Sequence, residues 1–245
     1  MNNSDLASID LSISGINPYH LVIRLDDKDC FFNIYDHTRK TLIASKCVGT
    51  VHNASCDDII SLFNDVVESK LLYQSVRIVY ESNVYTLVPN DLFRKDHIDD
   101  FLNFQFDISS SSILQFSLLT KLNAVVVYAI PLGFERAMCS LFPKITIEHH
   151  ISDFINDRFT IDVTTQVAVL LRDSYVDILV LVSGKLHLLN TYSVNTPDDL
   201  VYYVLRMYEE FSLDIDKVGV YMYQNRKSLD FSKQLNLYIK NVMCE

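Results

Sequence analysis

One pattern of elements occurs twice in this chain, and it constrains the fold more than any single motif does. Gln166–Leu171 and Tyr175–Val182 are short runs rich in Val, Leu and Ile, of strand length, separated by Arg172-Asp173-Ser174. A tight hairpin is the simplest connection. Ser183-Gly184 makes a second turn, and Lys185–Tyr192 alternates as a third strand. Thr196-Pro197-Asp198-Asp199 then opens a helix: Thr196 is a good N-cap, Pro197 suits the first helical position, and the Asp residues favour the positive helix end. Leu200, Val204, Leu205 and Tyr208 recur at helical spacing, and Val218–Tyr223 is a further strand. The same order occupies residues 21–83. Leu21–Leu25 and Cys30–Tyr35 flank Asp26-Asp27-Lys28-Asp29, Thr41–Val48 follows, Ser55-Cys56-Asp57-Asp58 opens a helix, and Val76–Tyr80 is the next strand. Asp27 and Asp173 lie 146 residues apart, Asp58 and Asp199 141, Val76 and Val218 142, and Asn83 and Asn225 142. Two copies of strand-strand-strand-helix-strand predict one ancestral unit used twice.

Between the copies, the sequence predicts a short strand over Asn83–Pro89 and a helix capped by Asn90 or Asp91 and running to Phe104. Ser109–Ser112 is expected as a surface loop. Ala124–Ile130 lacks alternation, as a strand buried on both faces does. A helix over Gly133–Phe142, a strand over Ile145–Glu148 and a helix over Ile151–Arg158 complete this part. The boundary falls near residue 160, giving lobes 1–160 and 161–245, the second truncated. Ile9–Ser14 alternates as an edge strand. At the other end, Ser228–Gln234 is expected to be helical and Leu235–Met243 to form a last strand.

Apolar content of 49% with five Gly and five Pro predicts a well-packed globular protein, and 245 residues suffice for one large domain or two smaller ones. The net charge of −10 argues against a general nucleic-acid binder, which relies on clustered Lys and Arg. The five Cys include no CxxC pair and are expected as free thiols in a reducing compartment. No basic-then-apolar leader and no long apolar run is present, so the expected location is cytoplasmic without membrane insertion.

Paired units of this order are the framework of the actin-like fold, in which each unit resembles a ribonuclease-H-like core. The segments V-I-R-L-D-D-K-D-C-F-F-N-I-Y-D and T-P-D-D-L-V-Y-Y-V-L-R-M-Y-E-E-F resemble those of a small bacterial family of unknown function assigned to that fold. The resemblance implies two ribonuclease-H-like units in an actin-like, two-lobed α/β arrangement. It also implies where Mg-ATP would sit. In active members the turn between the first two strands of each unit holds phosphate, typically as Asp-x-Gly, because glycine lets backbone N–H groups approach the anion. The matching residues are Asp26, Asp27, Lys28 and Asp29 in the first unit, with Asp26 and Asp29 as metal candidates, and Asp173 and Ser174 in the second. Asp27 and Asp173 are the catalytic candidates. Asn225 stands where active members place a glycine-rich adenosine turn. None of these turns contains glycine. The expectation is therefore a degenerate, non-catalytic or weakly nucleotide-binding protein that acts through protein partners. The alternative is a divergent ATPase or kinase.

Other constellations have competing readings. Asp26, Asp36 and Glu81 would have to converge to hold the two metals of a nuclease. His37, Cys47, His52 and Cys56 match no standard zinc spacing. His149-His150 is expected as a surface pair at a strand end. The helix Asp198–Phe211 carries Tyr202, Tyr203, Tyr208 and Phe211 around much of its circumference, which fits deep burial or an aromatic partner surface.

Overall fold

The first unit of the chain is built on a strand hairpin that alternates in burial. The computed structural model describes residues 19–26, 29–36, 38–39, 41–49, 55–66, 73–142, 144–161, 164–224 and 231–244. They fall into two compact units, Met1–Arg158 and Phe159–Glu245. The expected strand Ile9–Ser14 lies outside the described residues.

In unit 1, β1 (Tyr19–Leu25), β2 (Asp29–Tyr35) and β3 (Leu42–Gly49) form an antiparallel meander. Leu21, Ile23 and Leu25 alternate inward with Cys30 and Phe32 of the neighbouring strand. Helix α1 (Cys56–Val66) closes this face with Ile59 and Phe63, and Phe63 meets Phe32 edge-on at 4.7 Å. Ser55 and Asp58 cap the helix reciprocally. The Ser55 hydroxyl accepts from the Asp58 N–H at 3.2 Å, and the Asp58 carboxylate accepts from the Ser55 N–H at 3.2 Å. The chain returns as β4 (Tyr73–Tyr80), parallel to β1.

Before the fifth strand of this sheet comes a three-stranded antiparallel insertion. It contains β5 (Tyr85–Pro89), α2 (Ile98–Asn103), β6 (Ser112–Leu119) and β7 (Ala124–Pro131), in sheet order β5-β7-β6. Val88, Leu102, Val125, Val127 and Ala129 form its core. The expected Asn90–Phe104 helix shrinks to α2 and a preceding turn, because Arg94 is extended (φ −132°, ψ 121°). Phe93 is then free to turn onto Phe101 and Phe116. Strand β6 has no counterpart in the sequence expectations, since the serine run before it resembles a loop. Central strand β7 is buried from Ala124 to Ile130. Its Tyr128 hydroxyl donates to the Ile147 carbonyl at 3.2 Å, tying the insertion to the main sheet. Helix α3 (Leu132–Leu141) leads to β8 (Ile145–His149), parallel to β4. Helix α4 (His150–Asp153) and a π-helical turn over Phe154–Arg158 end the unit. The main sheet has the order β3-β2-β1-β4-β8.

Unit 2 has the same plan. Strands β9 (Gln166–Leu171), β10 (Tyr175–Val182) and β11 (Lys185–Ser193) form the meander. Ser183 (φ 52°) and Gly184 (φ 74°) make the two-residue β10–β11 turn, with both residues in the left-handed region such a turn requires. Helix α5 (Pro197–Glu210) begins with a capping box of Thr196 and Asp199. Strand β12 (Val220–Gln224) pairs parallel with β9. The helix expected at Ser228–Gln234 is the short α6 (Phe231–Leu235), whose Leu235 joins the core, and the strand expected over Leu235–Met243 shrinks to a short edge strand β13 (Val242–Cys244). The sheet order is β11-β10-β9-β12-β13, so both sheets have the ribonuclease-H-like arrangement.

Register corrects one sequence alignment. Val76 pairs with Leu21, as Val220 pairs with Val167. Val76 therefore matches Val220, not Val218. A shift of two residues keeps every side chain on its face, so alternation alone could not expose it.

Candidate functional site

The two turns expected at phosphate are each engaged within the chain. In the β1–β2 turn, the Asp26 N–H donates to the Asp29 carbonyl at 3.1 Å, and the Asp29 N–H donates to Asp26 Oδ1 at 2.7 Å. The Asp26 carboxylate thus helps close its own hairpin. Asp27 and Lys28 lie outside the described residues, as does Asn225. In the β9–β10 turn, the Arg172 N–H donates to the Tyr175 carbonyl at 2.9 Å around Asp173 and Ser174. The Ser174 carbonyl accepts from the Val194 N–H at 2.9 Å, fixing the turn to the end of β11.

Beside that turn, Arg172 grips Asp177 bidentately, with Nε to Oδ2 at 2.8 Å and Nη2 to Oδ1 at 3.1 Å. The Thr191 hydroxyl donates to Oδ1 from β11. Arg172 and Asp177 side chains are 6% and 0% exposed. A buried pair persists only when geometry and hydrogen bonds offset its desolvation. A carboxylate inside the apolar run Y-V-D-I-L-V-L-V signals such a partner, and Arg172 is the nearest cation in sequence.

Unit 1 gathers a larger charge cluster that the sequence did not reveal. Arg24 of β1 bonds Asp153 of α4 at 2.7 Å and Glu81 at 3.4 Å. Arg77 of β4 forms ion pairs with Glu148 of β8 at 3.1 Å, with Asp153 at 3.1 Å, and with Asp157. Burial works to lower both guanidinium groups, but the surrounding carboxylates outweigh it and hold them charged. Burial pushes the Glu148 carboxyl above the ordinary carboxylate range, and Arg77 opposes that shift. The carboxylates of Glu148, Asp153 and Asp157 approach one another closely enough for a cation, yet the Arg77 guanidinium forms ion pairs with all three. The arrangement is an ion-pair lock between strands and α4.

The nuclease triad does not form. Asp26 and Glu81 follow the ends of β1 and β4, where Leu25 pairs with Tyr80. Asp36 follows β2 beside His20, at the opposite end of the sheet. Its carboxylate binds Thr38 and the Thr41 N–H. For the zinc set, Cys47 is exposed on β3, Cys56 begins α1, and His37 and His52 lie outside the described residues. All five cysteines are free thiols.

His149 and His150 are corrected from surface to core: both are fully buried. His149 Nε2–H donates to the Ser82 carbonyl at 3.0 Å, and His150 Nδ1 accepts from the Ser82 N–H at 3.4 Å. Tyr85 and Tyr128 flank the His149 ring at 4.8 and 5.0 Å. The pair pins the β4–β5 connection. Burial of polar rings follows from their hydrogen bonds to an otherwise unsatisfied backbone.

Helix α5 divides its aromatics. Leu200, Val201, Val204, Met207 and Tyr208 face the core, whereas Tyr202 is 57% exposed. Tyr203 stacks on Tyr192 of β11 at 4.4 Å, and Arg206 donates to the Tyr202 hydroxyl at 3.1 Å. Tyr202, Leu205, Arg206, Glu209 and Glu210 line an open groove along the helix. No helix among the described residues is long and apolar enough to cross a membrane.

This architecture is that of the actin-like ATPase fold. It is similar to a Bacteroides thetaiotaomicron protein with actin-like ATPase fold and unknown function (TM-score 0.74, 18% identity, 93% of this chain and 90% of that one). It is also similar to a chain of the PilM-PilN type IV pilus biogenesis complex (TM-score 0.59, 12% identity, 92% and 88% covered). The chain belongs to the family described as "Protein of unknown function (DUF3822)", whose model matches residues 9–242. No curated protein matches the sequence.

Proposed function

We propose that this chain is a non-catalytic, cytoplasmic, bacterial interaction protein that keeps the actin-like frame without its phosphate chemistry. The engagement of the two hairpin turns carries this reading. Asp26 closes its own turn, and the cation beside the other turn is committed to buried Asp177. The turns also lack the glycines that would let backbone N–H groups reach an anion. Acidic Asp26, Asp27 and Asp29 would repel a triphosphate. We read the two units as products of one duplication, supported by their common sheet order and their capping boxes. The free thiols fit a reducing compartment. A protein partner has a suitable surface in exposed Tyr202, half-buried Leu205 and acidic Glu209 and Glu210 of α5, which favours a segment combining basic and apolar side chains. The PilM-PilN neighbour, solved as a complex, supports partner binding by this fold.

Phosphate release from Mg-ATP tests the reading. The expected rate equals that of buffer alone. Turnover that Asp173→Ala abolishes would establish the alternative, a divergent ATPase or kinase working through Asp27 and Asp173.

A further inference from the structure

Among the described residues the three sheets end in six edge strands: β3 and β8, β11 and β13, β5 and β6. An edge presents unpaired N–H and C=O groups, and natural edges are blunted by shortness, charge, proline or a bulge. Strand β3 has Lys46 and an irregular register. Strand β11 has Lys185 and a register shift. Strand β8 has five residues and carries Glu148, β13 has three, and β5 has five and ends at Pro89. Strand β6, Ser-Ile-Leu-Gln-Phe-Ser-Leu-Leu, has eight residues with no charge, no proline and no register shift.

Its backbone is closed at both ends and open in the middle. The Leu132 N–H donates to the Ser111 carbonyl at 2.9 Å, which sets the phase of the β6–β7 ladder. Ile113, Gln115, Ser117 and Leu119 therefore exchange hydrogen bonds with β7, while Ser112, Leu114, Phe116 and Leu118 direct theirs outward. Ser109 accepts the outward Ser112 N–H at 3.0 Å, and the Asn156 amide donates to the outward Leu118 carbonyl at 2.8 Å. Open among the described residues are the Ser112 carbonyl, both groups of Leu114 and of Phe116, and the Leu118 N–H.

The geometry points to a second copy of this chain as the occupant of that edge, with β6 pairing antiparallel to itself about a twofold axis through Gln115. In this register Leu114 lies opposite Phe116 of the other copy, and Ser112 opposite its Leu118. The Ser112 N–H and Leu118 carbonyl, already satisfied within the chain, are each other's counterparts in the register. The closed groups coincide, and every open group gains a partner. An unrelated strand would set its own free groups against the closed ones. Side chains agree: Leu114 and Phe116, packed on the α2 core, form an apolar cross-strand pair, and Gln115 meets Gln115. Leu118, 53% exposed, gains cover. An uncharged edge also lets two chains of net charge −10 meet without a like-charge contact at the seam. The contact is isologous, so it stops at a dimer. It stands whether or not the protein binds nucleotide.

Sedimentation velocity over a concentration series on the full chain tests the pairing, with Gln115→Lys and Leu114→Pro as variants. Gln115→Lys sets two cations face to face at the axis. Leu114→Pro removes an outward N–H that β7 does not use, a change edge strands tolerate. The wild type should dimerise as concentration rises, and each variant should weaken the dimer at least about tenfold, with far-UV circular dichroism unchanged. Hydrogen exchange should slow with concentration at Leu114, Phe116 and Leu118, and not at Ser112. A wild type that stays monomeric, or a dimer that both variants leave intact, overturns the proposal.

Discussion

The two units have the same strand order and the same kind of helix cap, but they place charge differently. Among its described residues unit 2 buries one ion pair, Arg172 with Asp177, beside the apolar runs Val167–Leu171 and, Asp177 aside, Val176–Leu181. Unit 1 spreads two arginines and four carboxylates across β1, β4, β8 and α4, with Asp157 48% exposed at the rim. The apolar pattern specifies the frame in both cases. Polar side chains then fasten whatever each unit adds to it. In unit 1 the addition is an insertion and a returning helix, and Arg24 and Arg77 fasten α4. In unit 2 the hairpin itself is fastened.

The comparison is broken most severely at Asp177. Asp177→Ala leaves Arg172 buried without a counter-charge, and the expected loss is about 3–5 kcal/mol in urea unfolding. Hydrogen exchange should locate that loss in β9–β12. The double replacement Arg172→Met with Asp177→Leu should recover most of it. If the double variant is as unstable as the single one, the pair does not act through buried charge.

Unit 1 should yield less to a single change, because its charges share partners. Arg77→Ala leaves Arg24 on Asp153, and the expected loss is about 1–3 kcal/mol. The sign of its pH dependence follows from Glu148. A carboxyl whose folded pKa is raised costs stability above that pKa, and the cost is relieved as pH falls through it. The Arg77→Ala deficit, measured by urea midpoints, should therefore be smaller at mildly acid pH than at pH 8.

The caps should behave alike in the two units. Thr196→Ala and Ser55→Ala should each cost about 1 kcal/mol in thermal or urea unfolding. The hydrogen bonds of the cap hold Asp58, chiefly through the Ser55 hydroxyl, and Asp199, chiefly through the Asn195 N–H, below the ordinary carboxylate range. Their contribution is present above the unfolded pKa and is lost as pH falls through the lowered folded value. Asp199→Asn should flatten that acid slope. The smallest effect is expected at Glu148→Gln, which removes the burial penalty and one contact of Arg77 together. Its urea midpoint at pH 7 should stay within about 1 kcal/mol of the wild type.

The hairpins and caps were legible because their signals are local: alternation over one strand, or Thr196 three residues before Asp199. What was missed depends on contacts between distant residues. Arg24 and Asp153 are 129 positions apart, and neither residue announces the other. His149-His150 resembles a polar strand end until Ser82 arrives from β4. Strand β6 was hidden by a serine run whose last member, Ser112, already belongs to the sheet. At the turns the sequence showed which residues were present and that glycine was missing. Only the structure shows the Asp26 carboxylate closing its hairpin and Arg172 committed to Asp177.

The central claim is that these turns no longer take phosphate, and a thermal-shift titration with Mg-ATP, on the wild type and on Asp173→Ala, tests it most directly. A ligand confined to the native state at a hundredfold excess over its Kd adds about 2.7 kcal/mol of stability, which a melting curve resolves. The account predicts coincident curves for both proteins up to millimolar nucleotide. A rise in Tm for the wild type that disappears in Asp173→Ala would contradict it and place a working nucleotide site at the β9–β10 turn.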